Sequence, residues 1–199
     1  TAAKTAEQQC SVRAILLGQN RPAPSWLSVV SQTVYDTGAH GFVGSNWMTY
    51  LSHVESRCLV TVGRYRSDLT YSDFELAKLA PGSTVVHLAG KAHDLRSVED
   101  PDDYKVNFEL TKRVYDRFTK SNASKFIFLS SVKAVADSVV GELMESTEPT
   151  PSSAYGVSKL RAENYISQHS GRQPLQRTYI LRSCMIHGPG NKGNLNLLY

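Results

Sequence analysis

The sequence predicts an α/β domain of the Rossmann type, in which a doubly wound parallel sheet is covered by helices. Short apolar runs rich in β-prone residues alternate with helical segments from residue 31 to about residue 190. The runs are continuously apolar, which is typical of parallel strands buried on both faces. A glycine-rich turn joins the first run to the first helical segment, as in folds that bind nucleotides at the carboxyl edge of the sheet.

The predicted elements follow one another in a regular order. Strands are predicted at residues 32–35, 58–62, 84–88, 125–129 and 178–181. Helices are predicted between them, at residues 42–53, 72–79, 102–120 and 152–169. The third of these helices places four apolar side chains at intervals of four, which predicts one buried face made of Val106, Leu110, Val114 and Phe118.

Composition excludes several other classes of protein. The chain has 199 residues, of which 41% are hydrophobic and 20% charged, as in an ordinary globular domain. The net charge of +4 is dispersed along the chain, so no nucleic-acid partner is predicted. The 3 cysteines have no metal-ligand spacing, and no apolar run is long enough to span a membrane. We therefore expect a soluble cytoplasmic protein without a metal site.

The first 30 residues do not fit the alternation. Pro22 and Pro24 disfavour both helix and strand there. We interpret residues 1–30 as an N-terminal extension of unknown role and residues 31–190 as the folded domain.

The turn after the first strand contains Gly38, Gly41 and Gly44 in a GxxGxxG pattern. In a dinucleotide-binding turn the first glycine permits the tight bend and the second lets the backbone approach a pyrophosphate. The third permits close packing of the helix, whose N-terminus favours anions. A glycine triplet alone also fits a simple tight turn, but its place between a strand and a helix favours cofactor binding.

The end of the second strand lacks the acidic residue that usually binds the adenosine ribose of NAD. The strand ends in Val62 and is followed by Gly63, Arg64, Tyr65 and Arg66. Arg64 is a candidate for contacting a 2′-phosphate, although it also fits an ordinary solvated loop. The sequence therefore leaves both NAD and NADP open.

A tyrosine and a lysine, Tyr155 and Lys159, stand four residues apart in the last predicted helix. Residues at this spacing share a helix face, so the lysine charge is expected to lower the pKa of the phenol. A phenol with a lowered pKa can take or give a hydroxyl proton during hydride transfer. Ser131 directly follows the fourth strand, where a hydroxyl can hold a substrate oxygen. Asn107 lies in a helix and either binds backbone near the site or faces water.

Taken together, these motifs resemble the extended short-chain dehydrogenase/reductase family, in its nucleotide-sugar epimerase, dehydratase and reductase branch. The resemblance runs from about residue 37 to residue 199. It rests on these segments in order: Thr37–Asn46 (TGAHGFVGSN), Val86–Gly90 (VHLAG), Val106-Asn107, Phe128–Ser131 (FLSS), Tyr155–Leu160 (YGVSKL), Leu181-Arg182 and His187–Gly190 (HGPG).

The resemblance implies a role for each matching residue. The implied catalytic residues are Ser131, Tyr155 and Lys159, with Tyr155 as the acid/base and Lys159 also binding the nicotinamide ribose. The implied cofactor-binding residues are Gly38, Gly41, Phe42, Val43, Gly44, Asp68, Leu69, Leu88, Ala89, Gly90, Lys91 and Asn107, and Arg64 is added as the candidate for a 2′-phosphate. The implied substrate residues are Ser131, Tyr155, Asn194 and Leu195.

The activity that the resemblance implies is an NAD-dependent 4-epimerase of nucleotide sugars, most simply UDP-sugars, in polysaccharide biosynthesis. Two alternatives remain: an NADP-dependent reductase or dehydratase of a 4-keto nucleotide sugar, and a non-catalytic NAD(P)-binding regulatory protein. Asp36 and Met185 depart from the pattern, because similar proteins carry an apolar residue at the first position and many epimerases carry asparagine at the second.

The resemblance also implies a homodimer packed through the helices at 102–120 and 152–169. In similar proteins a substrate-binding lobe begins after the last motif, so residues 191–199 are interpreted as its start and most of the lobe as missing. On that interpretation we expect cofactor binding with little or no turnover.

Overall fold

The structure, a computed structural model, describes residues 32–53, 57–91, 101–171 and 173–190. Within these ranges the chain forms a five-stranded parallel sheet with helices between the strands. The predicted Rossmann-type α/β fold is therefore confirmed. The predicted N-terminal extension and the predicted start of a substrate lobe, including Asn194 and Leu195, lie outside the described residues.

The helices and strands alternate as the sequence predicts. In chain order they are β1 Gln32–Thr37, α1 Phe42–Ser52, β2 Arg57–Val62, α2 Tyr71–Leu76, β3 Thr84–His87, α3 Pro101–Thr119, β4 Lys125–Ser131, α4 Ala154–His169 and β5 Arg177–Ser183. Most boundaries differ from the predicted ones by one or two residues. The exception is the C-terminus of α2. This helix ends at Leu76 and not at the predicted residue 79, because Ala77 already has an extended backbone.

The strand order β2-β1-β3-β4-β5 places the first strand in the interior of the sheet. All pairs are parallel, so the carboxyl ends of the strands meet at one edge. The order reverses between β1 and β3, and the crevice at such a reversal is where open α/β sheets bind ligands. The turn after β1 and the segment after β3 both enter this crevice.

The hydrophobic core lies between one face of the sheet and the pair α3 and α4. Its members include Tyr35, Val85, Phe126, Val114, Phe118 and Ile166. The predicted apolar face of α3 is only partly right, because Val114 and Phe118 are buried but Val106 is 54% exposed. The inward positions nearer the start of this helix are taken by the polar residues Asn107 and Thr111, whose hydrogen bonds are satisfied inside the protein.

A carboxyl group is buried in the sheet at Asp36, as the departure from the family pattern suggested. The residue is only 1% exposed, and neither carboxyl oxygen has a hydrogen-bond partner among the described residues. Burial raises the pKa of Asp36 from 3.8 to about 7. A buried carboxylate without a partner is costly, so this residue destabilises the sheet when it is ionised.

None of the helices within the described ranges combines the length and the apolar character needed to cross a membrane.

Candidate active site

The glycine turn after β1 is packed tightly against the segment that follows β3. Gly38 has a φ of +107°, and a Cβ built on it would lie 2.7 Å from the main-chain nitrogen of Ala89. A Cβ on Gly44 would overlap the carbonyl of Gly38. Glycine is required at both positions, since one needs a left-handed backbone and the other a close approach of α1 to the turn.

The N-terminus of α1 is left open by the same turn. Gly41 is the N-cap residue, so no side chain caps the helix, and its first turn contains no acidic residue. The N–H groups of a helix N-terminus attract anions through their partial positive charge. The uncapped N-terminus of this 11-residue helix is therefore suited to bind a phosphate group of a nucleotide.

A buried chain of hydrogen bonds links the end of β1 to α3. The Thr37 hydroxyl lies 2.5 Å from His87 Nδ1, and His87 Nε2 lies 3.0 Å from the Thr111 hydroxyl. That hydroxyl donates to the carbonyl of Asn107 at 2.7 Å, so it accepts from His87 Nε2–H. His87 is therefore the neutral Nε2–H tautomer, and burial strongly lowers its pKa.

Both polar side-chain atoms of Asn107 form hydrogen bonds with the main chain of Lys91. Its Oδ1 accepts from the Lys91 N–H at 2.6 Å, and its Nδ2 donates to the Lys91 carbonyl at 3.0 Å. A Cβ on Gly90 would lie 3.2 Å from Asn107 Oδ1 and 3.7 Å from Lys159 Nζ. Of the two readings of Asn107, binding backbone near the site is the one that the structure supports.

Ser131, Tyr155 and Lys159 meet at the carboxyl end of β4. The Ser131 side chain is hydrogen-bonded to the Tyr155 hydroxyl. Lys159 Nζ donates to the carbonyl of Leu129 at 2.9 Å and lies 5.9 Å from the centre of the Tyr155 ring. The helix α4 and the end of β4 thus bring a phenol, an ammonium group and a hydroxyl into one small region.

The expected lowering of the phenol pKa by the lysine is not found. Burial raises the pKa of Tyr155 above 10.0, and only the hydrogen bond from Ser131 opposes it. Burial also lowers the pKa of Lys159 to about 8, against the opposing charge of Glu163. The sequence pattern gave the spacing of the two groups but not their burial, and burial dominates here.

A second aromatic residue, which the sequence analysis missed, lies against the candidate acid/base. Tyr104 in α3 is 2% exposed, and its ring meets Tyr155 edge to face with the centroids 5.8 Å apart. Lys91 Nζ lies 5.6 Å from the centre of the Tyr104 ring. Tyr104 stands three residues before Asn107 on the same helix, and this spacing is the signal in the sequence that could have identified it as a site residue.

The start of α4 is fixed by Asp137, another residue that the sequence analysis missed. Asp137 Oδ2 accepts from the main-chain N–H groups of Ser152 and Ser153, at 2.7 and 2.8 Å, and both serine hydroxyls also donate to this carboxylate. Burial alone raises the pKa of Asp137, but these hydrogen bonds outweigh it and hold that pKa well below 3.8. Tyr155 follows two residues after Ser153, so Asp137 fixes the start of the helical turn that carries the phenol.

The other predicted residues lie around the same edge. His40 Nε2 donates to the carbonyl of Arg66, which brings the loop after β2 next to the glycine turn. Phe42 lies near Gly188, where a Cβ would be 3.7 Å from its ring. Leu69 is fully buried in the core, so any contact it makes with a ligand is through its main chain. Of the remaining predicted residues, Val43 lies in the first turn of α1, and Arg64 and Asp68 lie in the loop after β2. Leu88 directly follows β3, and its main-chain N–H donates to the carbonyl of Thr37 at 2.8 Å.

The arrangement fits a nicotinamide dinucleotide at two points. The glycine turn and the open helix end suit a pyrophosphate, and the buried ammonium of Lys159 lies beside Gly90 further along the edge. A grouping of side chains suited to a metal ion does not occur in the described ranges.

Comparison with known proteins agrees with this geometry. The model of the NAD-dependent epimerase/dehydratase family matches residues 34–197, which is most of the chain. The chain belongs to the NAD-dependent epimerase/dehydratase family. The resemblance noted in the motifs is therefore confirmed at the level of the family.

Individual relatives of this family member carry different activities. The chain is 28% identical, over 170 residues, to the GDP-6-deoxy-D-mannose reductase of Pseudomonas aeruginosa, and the alignment covers 82% of this chain and 55% of that protein. The structure of RMD from the same organism, complexed with NADPH, matches with a TM-score of 0.68 and 27% identity over 81% of this chain and 56% of the other.

A UDP-N-acetylglucosamine 4-epimerase from Bacillus cereus matches with a TM-score of 0.67 and 23% identity, covering 82% of this chain and 63% of that one. At this identity the likeness concerns the fold alone. The chain thus spans a little over half the length of the reductase and less than two thirds of the epimerase.

Proposed function

We propose that the chain binds NAD(P) at the carboxyl edge of its sheet and interconverts a hydroxyl and a ketone at C4 of a nucleotide sugar. The observation that carries this proposal is the meeting of Tyr155, Ser131 and Lys159 beside Gly90, in the segment after β3 that also packs against the glycine turn. When bound, the dinucleotide supplies the hydride chemistry at its nicotinamide ring. Gly38, Gly41 and Gly44 would hold its pyrophosphate and Lys159 its nicotinamide ribose.

Tyr155 moves the proton in this mechanism. In the oxidation direction its phenolate oxygen takes the proton of the C4 hydroxyl, and in the reduction direction its phenol gives a proton to the ketone oxygen. Ser131 is hydrogen-bonded to the Tyr155 hydroxyl, so it positions the sugar oxygen against that hydroxyl. Both steps require the sugar oxygen to lie within hydrogen-bond distance of the Tyr155 hydroxyl.

The family pattern favours a 4-epimerase as the complete reaction. In that reaction Tyr155 would accept the C4 hydroxyl proton while a bound dinucleotide takes up the C4 hydride. After the 4-keto sugar has rotated in the site, Tyr155 would return the proton while the hydride is given back to the opposite face of C4. A solved neighbour of the same fold, MoeE5, is in complex with UDP-glucose and NAD, which supports a UDP-sugar as the substrate class.

A second candidate, an NADP-dependent reductase of a 4-keto nucleotide sugar, is favoured by two observations. The end of β2 carries Gly63 and Arg64 where a carboxylate would bind the ribose of NAD. The raised pKa of Tyr155 keeps its phenol protonated, which suits a group that gives a proton to a ketone. One relative, from Pseudomonas aeruginosa, is named as a GDP-6-deoxy-D-mannose reductase.

A non-catalytic NAD(P)-binding role is less favoured, because Ser131, Tyr155 and Lys159 are assembled in one place. The homodimer through α3 and α4, the cytoplasmic location and the role in polysaccharide biosynthesis stay predictions.

The two candidate reactions differ in what happens to the cofactor. We expect mass analysis of small molecules released from the denatured protein to find NAD(H) for an epimerase. For a reductase we expect NADPH to be consumed, one molecule for each 4-keto sugar reduced. If the folded protein neither retains nor binds either dinucleotide, the proposal is wrong.

A further inference from the structure

A buried carboxylate, that of Glu163, lies one helical turn after the candidate lysine. Glu163 follows Lys159 by four residues on α4, so the two side chains share one face of the helix. Consecutive residues of β4 bind this face. The carbonyl of Leu129 accepts from Lys159 Nζ at 2.9 Å, and the Ser130 hydroxyl donates to Glu163 Oε1. The proposed reaction as described above gives this carboxylate no role.

The carboxylate of Glu163 is held from two strands. Glu163 is only 3% exposed. Arg182 on β5 donates to both of its oxygens, from Nε at 3.2 and 3.0 Å and from Nη2 to Oε2 at 2.7 Å. Ser130 and Arg182 are also partners in the register of β4 and β5. These charge-assisted hydrogen bonds stabilise an ionised carboxylate inside the protein and fix its orientation.

Lys159 is a buried cation whose surroundings disfavour its charge. It is 7% exposed, and burial lowers its pKa to about 8, whereas the charge of Glu163 opposes this effect. The Lys159 ammonium also lies 4.8 Å from the centre of the Phe128 ring and 5.9 Å from that of Tyr155. An aromatic face attracts a cation only weakly, so a nearby negative charge has the larger effect on this ammonium group.

Within the described ranges, the other titratable groups that the surrounding elements bring to this region are neutral or cationic. They are His87 on β3, Lys91 after β3, Tyr104 on α3, Tyr155 on α4 and Arg182 on β5. Burial and then the charge of Lys159 lower the pKa of His87, so this imidazole stays neutral. Two further carboxylates contact α4 elsewhere, Asp137 before its first turn and Asp116 towards its end. Glu163 is therefore the acidic group that offsets the charge of Lys159.

We propose that Glu163 is a positioning residue, whose carboxylate, held by Arg182 and Ser130, keeps the Lys159 ammonium charged at the candidate cofactor site. The inference rests on the proposed function, in which Lys159 binds the nicotinamide ribose. A charged ammonium group has three donors and attracts an anionic dinucleotide, whereas a neutral amine has lost one donor and the charge. Glu163 thus extends towards alkaline pH the range in which the site is complete.

The charge on Lys159 can be measured without any cofactor. In the full chain labelled with ¹³C at the ε-carbon of its lysines, NMR follows each ammonium group as the pH is raised, and the Lys159→Met protein identifies the signal of Lys159. We expect a midpoint near pH 8 in the wild type. Glu163→Gln keeps the shape of the side chain and removes its charge, so the midpoint should fall by about one pH unit or more.

A structural role alone predicts the opposite direction. If Glu163→Gln merely loosened the packing of α4, water would reach Lys159 and its midpoint would rise towards the ordinary value of 10.5. Glu75→Gln is the matched control, because Glu75 also pairs with an arginine, Arg113, but lies on α2. The midpoint of Lys159 should not change in this control.

A double variant keeps the experiment decisive if Glu163→Gln does not fold. Glu163→Gln combined with Arg182→Gln leaves no unpaired guanidinium inside the protein, so it removes the main cause of instability. The midpoint of Lys159 should still lie below that of the wild type, because the charge that raises its pKa is that of the carboxylate.

Dinucleotide binding connects the titration to the proposed function. Between pH 6 and pH 7.5, the dissociation constant of NADH or NADPH should rise more steeply for Glu163→Gln than for the wild type, since the variant loses the ammonium charge in this interval. An unchanged or raised midpoint of Lys159, or the same pH dependence of binding in both folded proteins, would overturn the inference and leave the proposed function standing. Failure of the folded wild type to bind either dinucleotide at millimolar concentration would remove the proposed function, and the role of Glu163 in it, whatever the titration shows.

Discussion

Replacing Tyr155 with phenylalanine is expected to lower kcat by about 10² to 10⁴-fold, the range that general acid–base catalysis usually contributes. The substitution removes the hydroxyl that is hydrogen-bonded to Ser131 and keeps the ring that packs against Tyr104. The affinity for the dinucleotide should change little, because the glycine turn and Lys159 are untouched. Steady-state kinetics and calorimetric titration of the same preparation give the two quantities.

Tyr179→Phe provides the control for this experiment. Tyr179 lies on β5 and is exposed, so loss of its hydroxyl should leave both kcat and cofactor affinity unchanged. A Tyr155→Phe protein that is folded, binds the dinucleotide and turns over at the wild-type rate would contradict the proton-transfer role.

Replacing Asp36 with valine is expected to stabilise the fold, and more so at pH 8 than at pH 5. The folded-state pKa of about 7 lies above the ordinary value of 3.8, so the folded protein holds this proton more tightly than the unfolded chain. The free energy of unfolding therefore falls as the pH rises from about 4 to 7. For a shift of this size the loss is on the order of 4 kcal/mol.

Urea unfolding of the wild type and two variants at both pH values separates the contributions. Asp36→Val should remove this pH dependence and add apolar burial. Asp36→Asn has the same shape as aspartate without the charge, so it should remove the pH dependence while leaving polar atoms buried. Retention of the wild-type pH dependence in Asp36→Asn would show that another group is responsible.

Local patterns in the sequence were sufficient to predict the strands, most helix boundaries and the glycine turn, because these depend on neighbouring residues. The buried face of α3 shows where such patterns fail. Val106 is apolar but exposed, whereas Asn107 is polar but buried, since Asn107 binds the main chain of Lys91. The periodic pattern identifies apolar residues but not the polar residues that long-range hydrogen bonds retain inside.

In the candidate site, too, local sequence patterns predict some features, whereas others depend on contacts between distant segments. Proximity of Tyr155 and Lys159 follows from their spacing on a helix, but the pKa of the phenol depends on burial by other elements. Asp137 lies 15 and 16 residues before the serines that donate to it, a separation without a sequence pattern. The cost of a buried Asp36 was predictable only through comparison with the family pattern.

The central claim is that the glycine turn and the open end of α1 bind the pyrophosphate of a nicotinamide dinucleotide. Gly41 tests it directly, because this N-cap has a φ of −76° and a ψ of 171°, which any residue adopts. Aspartate and asparagine are both good N-cap residues and have nearly the same shape. A Cβ at this position would lie 3.3 Å from the carbonyl oxygen of Gly38 in both variants, so this tight contact cancels when the two are compared. Only aspartate places a negative charge where the pyrophosphate would lie.

The deciding measurement is the dissociation constant of NADH or NADPH, whichever binds the wild type more tightly, for Gly41→Asp and Gly41→Asn. We expect aspartate to weaken binding at least about tenfold more than asparagine, because like charges repel across the short distance at the helix end. Equal dissociation constants for the two folded variants would contradict the placement of the cofactor at this helix end.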